Sequence, residues 1–404
     1  MEPEAVHGPS PRGRYYWLVL VAAGLGAGLY TYALGPGLAG TGDSREYLAA
    51  AQSLRRSGQL LGTDGSPYRL WPPLFPVVLS WLGGTPGPVR WLNGAALLGT
   101  LGCWSAVGWQ LLPRGRRWAL PLLLACSSPM LVVSKFVWSE PLFSWLWAGY
   151  FLALLGWLRH GSWRWAGLAT GLGLLLPLQR IAGGFLLAGV GLALLWLRPG
   201  QLVRPGRWAL LAHFAGASSG LLLWQWHIWQ GPGDNRLAQG IAPASLPAAA
   251  SDYGFVLGRW LLPLPVPLFE ALPAAAWALL LLALLAWLWP RRSVESSAGL
   301  ATSWPSLWAG LLFGAVVASL VLLIVSGALG RSGRGLHEAE RYATALYAPV
   351  VVLGLLAWPA TPRWARCGGP VLLAAWLLYQ GARAAHNAQQ LRHLPLLREV
   401  KRIH

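Results

Sequence analysis

Charge is what this 404-residue sequence has least of: 11% of its residues are Asp, Glu, Lys or Arg, and only 13 are acidic. Soluble domains carry roughly 25% charged residues. Apolar runs recur from Tyr15 to Gln380, leaving no stretch for a separate soluble domain of ordinary size. Cysteine is scarce as well. Cys103, Cys126 and Cys367 stand far apart, the first two inside apolar runs, so they offer neither a disulfide framework nor a thiolate metal cluster. No pair of histidines has zinc-ligand spacing, and there is no Asn-x-Ser/Thr acceptor sequence. The glycines at 24, 26 and 28 do not follow a strand pattern, which removes a dinucleotide-binding fingerprint. Lysine is nearly missing; Lys135 and Lys401 are the two in the chain.

What is present in quantity is apolar: 55% hydrophobic residues and a mean hydropathy of +0.48. A membrane span needs about 20 such residues. Runs near that length, or somewhat shorter, fall at 15–35, 89–112, 118–136, 140–158, 163–179, 181–197, 208–226, 273–289, 303–326, 342–359 and 369–382. The net charge of +18 comes from arginines clustered between these runs. That is the positive-inside pattern of membrane loops and not a nucleic-acid-binding face. Arg12 and Arg14, Arg114 to Arg117, Arg159, Arg164, Arg198 to Arg207, Arg291 and Arg292, and Arg363 and Arg366 belong to one side. Asp43, Glu46, Asp64, Glu140, Asp234, Asp252, Glu270, Glu338 and Glu340 belong to the other. The expectation is an all-α polytopic membrane protein of about eleven helices, N-terminus inside, with residues 1–404 forming one membrane domain. The first apolar run is longer than a signal-peptide core and reads as a retained helix. The basic tail "REVKRIH" falls outside in this count, against the charge rule. Gly167 and Gly171 have the GxxxG spacing that predicts close helix packing.

The first outside loop, about residues 36–88, is long and not very polar. From Asp43 it reads as an amphipathic helix, with Tyr47, Ala51 and Leu54 on one face and Arg45, Gln52, Arg55 and Arg56 largely elsewhere. Asp43 is the expected N-cap, with Glu46 in the capping-box position. "WPPLFPVVLSWLGG" is short and broken by Pro72, Pro73 and Pro76, so it predicts a helix lying in the membrane interface.

Ionisable groups gather at the outer ends of several separate runs: Asp43, Lys135, Glu140, Arg180, and the group in "GLHEAERYATALYAP". Charges at membrane depth are expensive and mark functional sites. Each has a plainer reading. Asp43 serves as a helix cap or as a general base, and a carboxylate has lone pairs for both. Glu140, just before Pro141, starts a helix or faces substrate. Arg180 snorkels to headgroups or grips an anion. His337, Glu338 and Glu340 form a solvated loop or a polar site, while Arg341 abuts the apolar run that follows.

These pieces resemble the GT-C superfamily of polytopic glycosyltransferases, in particular the bacterial protein mannosyltransferase-like and aminoarabinose-transferase-like branch. "GDSREYLAAAQSLRRSG" resembles the family's Asp-x-x-x-Tyr opening of the first outside loop, and "YRLWPPLFPVVLSWLG" its Pro-Pro-Leu interfacial helix. "VWSEPLF", "GLATGLGLLLPLQRIAG" and "ERYATALYAPVVVL" match pieces at outer ends of later helices. The resemblance implies a sugar donor carried on a polyprenyl phosphate, with no resident cofactor, and inverting transfer to a hydroxyl of a lipid, glycan or protein at the extracytoplasmic face. It implies Asp43 as catalytic base and Arg69, Arg180 and Arg341 against the departing phosphate, beside Tyr47, Glu140, His337 and Tyr342. No Asp cluster accompanies Asp43 as a metal site. Trp71 stands where aminoarabinose-transferring members carry lysine, and the large luminal domain of eukaryotic protein mannosyltransferases has no counterpart. The implied location is a bacterial cytoplasmic membrane. A transporter or flippase of lipid-linked substrates is the competing expectation, but it predicts mid-membrane charges and inverted repeats.

Overall fold

The computed structural model describes residues 11–69, 71–197, 204–230, 245–262, 273–280, 304–328, 335–357 and 363–397. Among them the chain is helical almost throughout: α1 (Pro11–Leu34), α2 (Gly42–Ser57), α3 (Leu74–Trp81), α4 (Pro86–Leu111), α5 (Ala119–Ala125), α6 (Ser128–Ser134), α7 (Glu140–His160), α8 (Trp163–Gln179), α9 (Ala182–Leu197), α10 (Arg207–Trp229), α11 (Ser245–Leu261), α12 (Trp304–Ala328), α13 (Gly335–Ala343), α14 (Tyr347–Ala357) and α15 (Arg363–Arg392). Four described stretches, Arg12–Leu34, Glu140–His160, Leu307–Ala328 and Glu338–Ala357, are long and apolar enough to cross a membrane, and Ala119–Ser134 and Ala182–Trp196 are shorter apolar helices. Every expected run coincides with helix where it is described; residues 281–289, 303 and 358–359 of these runs lie outside the described residues.

One expected element comes out differently, and two helices were not expected. The run 118–136 is two helices, broken where Ser127 leaves the helical conformation and its hydroxyl accepts the Met130 N–H, with Pro129 in the next first turn. That is ordinary N-cap chemistry. Helix α11 has no counterpart in the expected runs, and α13 overlaps the run 342–359 only at its last two residues.

Exposed aromatic rings collect near the helix ends. Tyr16, Trp17, Trp163 and Trp208 stand beside the arginine-rich ends, with Arg12, Arg164 and Arg207 lying over Tyr16, Trp163 and Trp208. Trp81, Trp91, Trp226 and Trp229 mark the opposite ends. Such rings sit at the two membrane–water interfaces.

Close helix approach occurs, but not at the expected motif. A Cβ on Gly167 or Gly171 would meet nothing within 4 Å, so that face points away from the bundle. The tight crossing is between α9 and α12, where a Cβ on Gly189 would stand 2.4 Å from the Gly314 carbonyl oxygen and one on Gly314 2.7 Å from that of Gly189. Gly189→Val is therefore expected to destabilise the protein by about 1–3 kcal/mol through overpacking, whereas Gly167→Val leaves the thermal midpoint in detergent unchanged. Equal midpoints for the two variants would refute this assignment.

The C-terminal segment returns to the first outside loop. Leu397 N–H donates to the Leu38 carbonyl at 2.8 Å, and Ala39 bridges both Leu396 and Phe136. The described part of the tail thus lies at the Asp43 end, as the helix count requires despite its basic sequence; residues 398–404 lie outside the described residues.

Candidate functional site

The site is built on the short segment from Lys135 to Glu140, which joins α6 to α7. Lys135 is buried, and its Nζ donates to the carbonyls of Leu34 and Gly37 at 2.7 and 2.8 Å. It ties down the last turn of α1 and the loop after it. Its own carbonyl accepts the Ala39 N–H at 2.9 Å. Asn93 of α4 donates to the carbonyls of Ser134 and Phe136, both at 2.9 Å. The loop that leads into α2 is thereby fixed from two sides. Lys135→Met takes the Lys135 donor from two part-buried carbonyls, of which that of Leu34 keeps the Gly37 N–H at 3.1 Å while that of Gly37 loses its partner; a lost bond of this kind costs about 1 kcal/mol. We expect a lower unfolding temperature and faster hydrogen exchange at the Ala39 amide; unchanged exchange would overturn this placement.

The sequence predicts Asp43 as the N-cap of α2 with Glu46 completing the box. The structure gives the cap to Thr41 and the box to Ser44, whose Oγ accepts the Thr41 N–H at 3.1 Å. Glu46 instead receives Thr63 of the following loop. Two cap-competent residues stand two positions apart, and the Trp138 indole, donating to Thr41 Oγ1 at 2.9 Å, fixes the earlier one in place. Asp43 is left in the first turn with its carboxylate free to point elsewhere.

It points at Arg341. Arg341 Nη2 lies 2.7 Å from Asp43 Oδ2 while its Nε lies 2.5 Å from Glu140 Oε1. Arg180 Nη1 approaches the same Glu140 oxygen at 2.5 Å, and also Ser139 Oγ at 3.1 Å. Residues from α2, α7, α13 and the end of α8 therefore form one chain, Asp43–Arg341–Glu140–Arg180. Two carboxylates and two guanidiniums balance in charge, with Glu338 at the rim, 3.7 Å from Arg341 Nη1. Glu140 is 3% exposed, whereas Asp43 keeps 24% of its side chain open. Of these two carboxylates, Asp43 is the one that solvent reaches.

Aromatic rings frame the arginines. The Arg341 guanidinium lies 3.9 Å from the centre of the Trp138 ring, and both Arg341 and Arg180 lie over Tyr342, at 5.3 and 5.1 Å. Arginine matches this use, being planar and weakly hydrated. Tyr47, one turn after Asp43, is buried with its hydroxyl 3.3 Å from Ser139 Oγ. Burial first, then the Glu140 charge, raise its ionisation above the ordinary tyrosine range, so it stays a neutral phenol. Gln179 donates to the Ser139 carbonyl at 2.9 Å.

The expected site residues thus separate into groups. Asp43, Tyr47, Glu140, Arg180, Arg341 and Tyr342 come together. Lys135 belongs to the scaffold beneath them. Arg180 turns inward to Glu140 and not outward to headgroups. Arg69 lies in the loop that follows α2, half-buried, with its Nε unpartnered among the described residues. His337 falls in the first turn of α13, but its side chain lies outside the described residues. Sequence reasoning missed Trp138, Ser139 and Tyr68. The first two adjoin Glu140 in "SKFVWSEPLF" and were legible only as its neighbours. Tyr68 precedes Arg69; its buried hydroxyl has no partner among the described residues, and burial followed by the nearby Tyr47, Glu46 and Asp43 raises its ionisation. Among the described residues no group of three His, Cys, Asp or Glu is gathered as for a metal ion. An enclosed pocket one helical turn deeper, lined by Leu97, Trp104, Met130, Ser144, Thr344 and Tyr347, is mostly apolar and lacks the charged groups.

A multi-pass helical bundle with a buried acid–arginine cluster at one end defines a class of membrane protein, and solved structures narrow it to the GT-C fold. The crystal structure of ArnT from Cupriavidus metallidurans, bound to undecaprenyl phosphate, matches with a TM-score of 0.58 at 15% identity over 94% of this chain and 77% of that one. The archaeal oligosaccharyltransferase AglB from Archaeoglobus fulgidus, in complex with an inhibitory peptide and a dolichol-phosphate, matches with a TM-score of 0.52 at 12% identity over 96% of this chain. The chain spans 57% of the length of AglB. At these identities the likeness is one of fold. No protein-family model and no curated protein matches the sequence.

Proposed function

We propose that the protein is an integral-membrane glycosyltransferase that moves a sugar from a polyprenyl-phosphate carrier to an acceptor hydroxyl of a lipid, glycan or protein. The reaction takes place at the extracytoplasmic face of a bacterial cytoplasmic membrane, within one membrane domain over residues 1–404. The observation that carries this reading is the bridge made by Arg341 between the half-open Asp43 and the buried Glu140. A base for an incoming hydroxyl and cations for a departing phosphate then share one small site. The lipid phosphates bound to ArnT and AglB, proteins of the same fold, support the choice of donor.

In the step proposed, Asp43 takes the proton of the acceptor hydroxyl as its oxygen attacks the anomeric carbon from the side opposite the phosphate. The new glycosidic bond forms as the carbon–phosphate-oxygen bond breaks, so the configuration inverts and the lipid phosphate leaves with the bonding pair. Arg341 and Arg180 hold the charge that develops on it, the form of stabilisation that contributes most in water-poor sites. Arg69, with a donor to spare, approaches the phosphate from the loop, and Tyr47 and Tyr342 frame the site; His337 is retained as a substrate contact on the family resemblance alone. Glu140 keeps the two arginines apart and aimed.

The protein reconstituted in liposomes with a polyprenyl-phosphate sugar and an acceptor extract tests this directly. Sugar transfer with equimolar release of free polyprenyl phosphate is the expected result. Movement of the intact lipid-linked sugar across the bilayer without release would instead establish the flippase reading. Transfer from a soluble nucleotide sugar alone would exclude the proposed donor.

A further inference from the structure

The residue before Arg341 faces the other way. Glu340 meets Arg383 of α15, lies 3.8 Å from Arg259 Nη1 of α11, and accepts the Trp260 indole N–H at 3.3 Å. The Trp260 carbonyl is itself held by Trp376 and Gln380, donating at 2.7 and 2.8 Å. Among the described residues two guanidiniums thus share one carboxylate, and one positive charge is left over, although the Arg383 side chain is only 7% exposed. Removing one partner of a buried ion group is costly because a charge stays uncompensated; here the described residues themselves carry such an excess. Burial first, and then the like charge of Arg383, push Arg259 below its ordinary range.

The hydrogen-bonding groups are also unmet. Nε and Nη1 of Arg383 and Oε1 of Gln380 are buried and have no partner among the described residues. Gln380 and Arg383 are three residues apart on α15 and so share a face. A buried water satisfies such donors, yet it leaves the excess charge in place. An anion answers both.

We propose that Arg383, Arg259 and Gln380 form a second anion site, for an oxyanion of the phosphate class, with α13 between it and the Asp43–Arg341 cluster. Arg383 offers Nε and Nη1 to phosphate oxygens, charge-assisted contacts stronger than neutral ones. A protonated oxygen donates to Gln380 Oε1. Arg259, with 27% of its side chain exposed, stands at the rim where the ligand enters. This assignment rests on the unbalanced charge and unmet donors and not on the sugar-transfer reading; it stands if Asp43 proves to have no catalytic part.

Thermal unfolding of the full chain in detergent, at constant ionic strength, tests it with two probes: inorganic phosphate and a short-chain polyprenyl phosphate, each against chloride. The wild type is expected to gain stability with at least one probe, a response kept in Arg180→Gln. In Arg383→Gln the concentration needed for the same gain rises tenfold or more, while stability in chloride holds, because Glu340 and Arg259 still balance. Glu340→Gln, with the larger excess charge, needs less of the probe. A response to both probes identifies a free-anion site, and a response to the lipid alone a headgroup site. Identical responses in wild type and Arg383→Gln, or none in either, overturn the proposal. So does a loss of stability in chloride for Arg383→Gln that matches that of Glu340→Gln, since Arg383 would then be only a structural partner of Glu340.

Discussion

Asp43→Asn is expected to lower sugar transfer by roughly 10²–10⁴-fold, the usual contribution of a positioned general base, while the protein folds and binds polyprenyl phosphate as before. The variant is informative because the structure separates the two roles that the sequence assigned to this side chain. Helix α2 is capped by Thr41 and Ser44, so losing the carboxylate costs no cap. Asparagine has the same shape, and its carbonyl oxygen still accepts from Arg341 Nη2, now 2.7 Å from Asp43 Oδ2. Arg341 keeps Glu140 as its counter-charge. What disappears is the ability to take a proton. Initial rates with the lipid-linked donor, measured beside lipid binding and the thermal midpoint, separate these effects. Transfer at the wild-type rate would remove Asp43 from the chemistry. Loss of transfer together with lipid binding would make it a structural partner of Arg341 instead. Asp43→Glu keeps the charge but displaces it by a methylene, so its rate belongs between the two.

Much of this arrangement was legible in the sequence, because membrane insertion makes charge costly and therefore meaningful. Asp43, Glu140, Arg180 and Arg341 stand out since each sits at the end of an apolar run, and alternating arginines put all four on one side. The amphipathic spacing of Tyr47 and Ala51 gave the buried face of α2. Pairing was not legible. Nothing local says that Glu140 meets a guanidinium two hundred residues on, or that Lys135, equally charged and equally placed, serves the α1 carbonyls. Which of two acceptors caps a helix also depends on a distant residue, here Trp138 holding Thr41. The glycines teach the same lesson. A GxxxG spacing fixes which glycines share a face but not which way that face turns. Gly167 and Gly171 look outward, while Gly189 and Gly314, from different helices, make the tight crossing.

Arg341→Met should cost about 3–5 kcal/mol of stability, the usual penalty for stripping one partner from a buried ion group. Glu140, 3% exposed, would depend on Arg180 alone, and Asp43 would have no cation within reach among the described residues. Arg341→Lys is not a rescue. A single ammonium cannot place one donor 2.5 Å from Glu140 and another 2.7 Å from Asp43 while lying flat against Trp138. If Arg341 also grips the carrier phosphate, its loss weakens polyprenyl-phosphate binding by roughly 10–150-fold, the equivalent of one charged hydrogen bond. A single variant confounds the two effects, because a destabilised protein binds everything less well. The double variant Asp43→Asn with Arg341→Met resolves them. Removing the acid together with its cation leaves Glu140 and Arg180 as a balanced pair, so the thermal midpoint recovers by most of the lost amount. Lipid affinity does not recover, because the phosphate still lacks its guanidinium. Recovery of both would reduce Arg341 to a counter-ion for Asp43 and take the phosphate contact away from it.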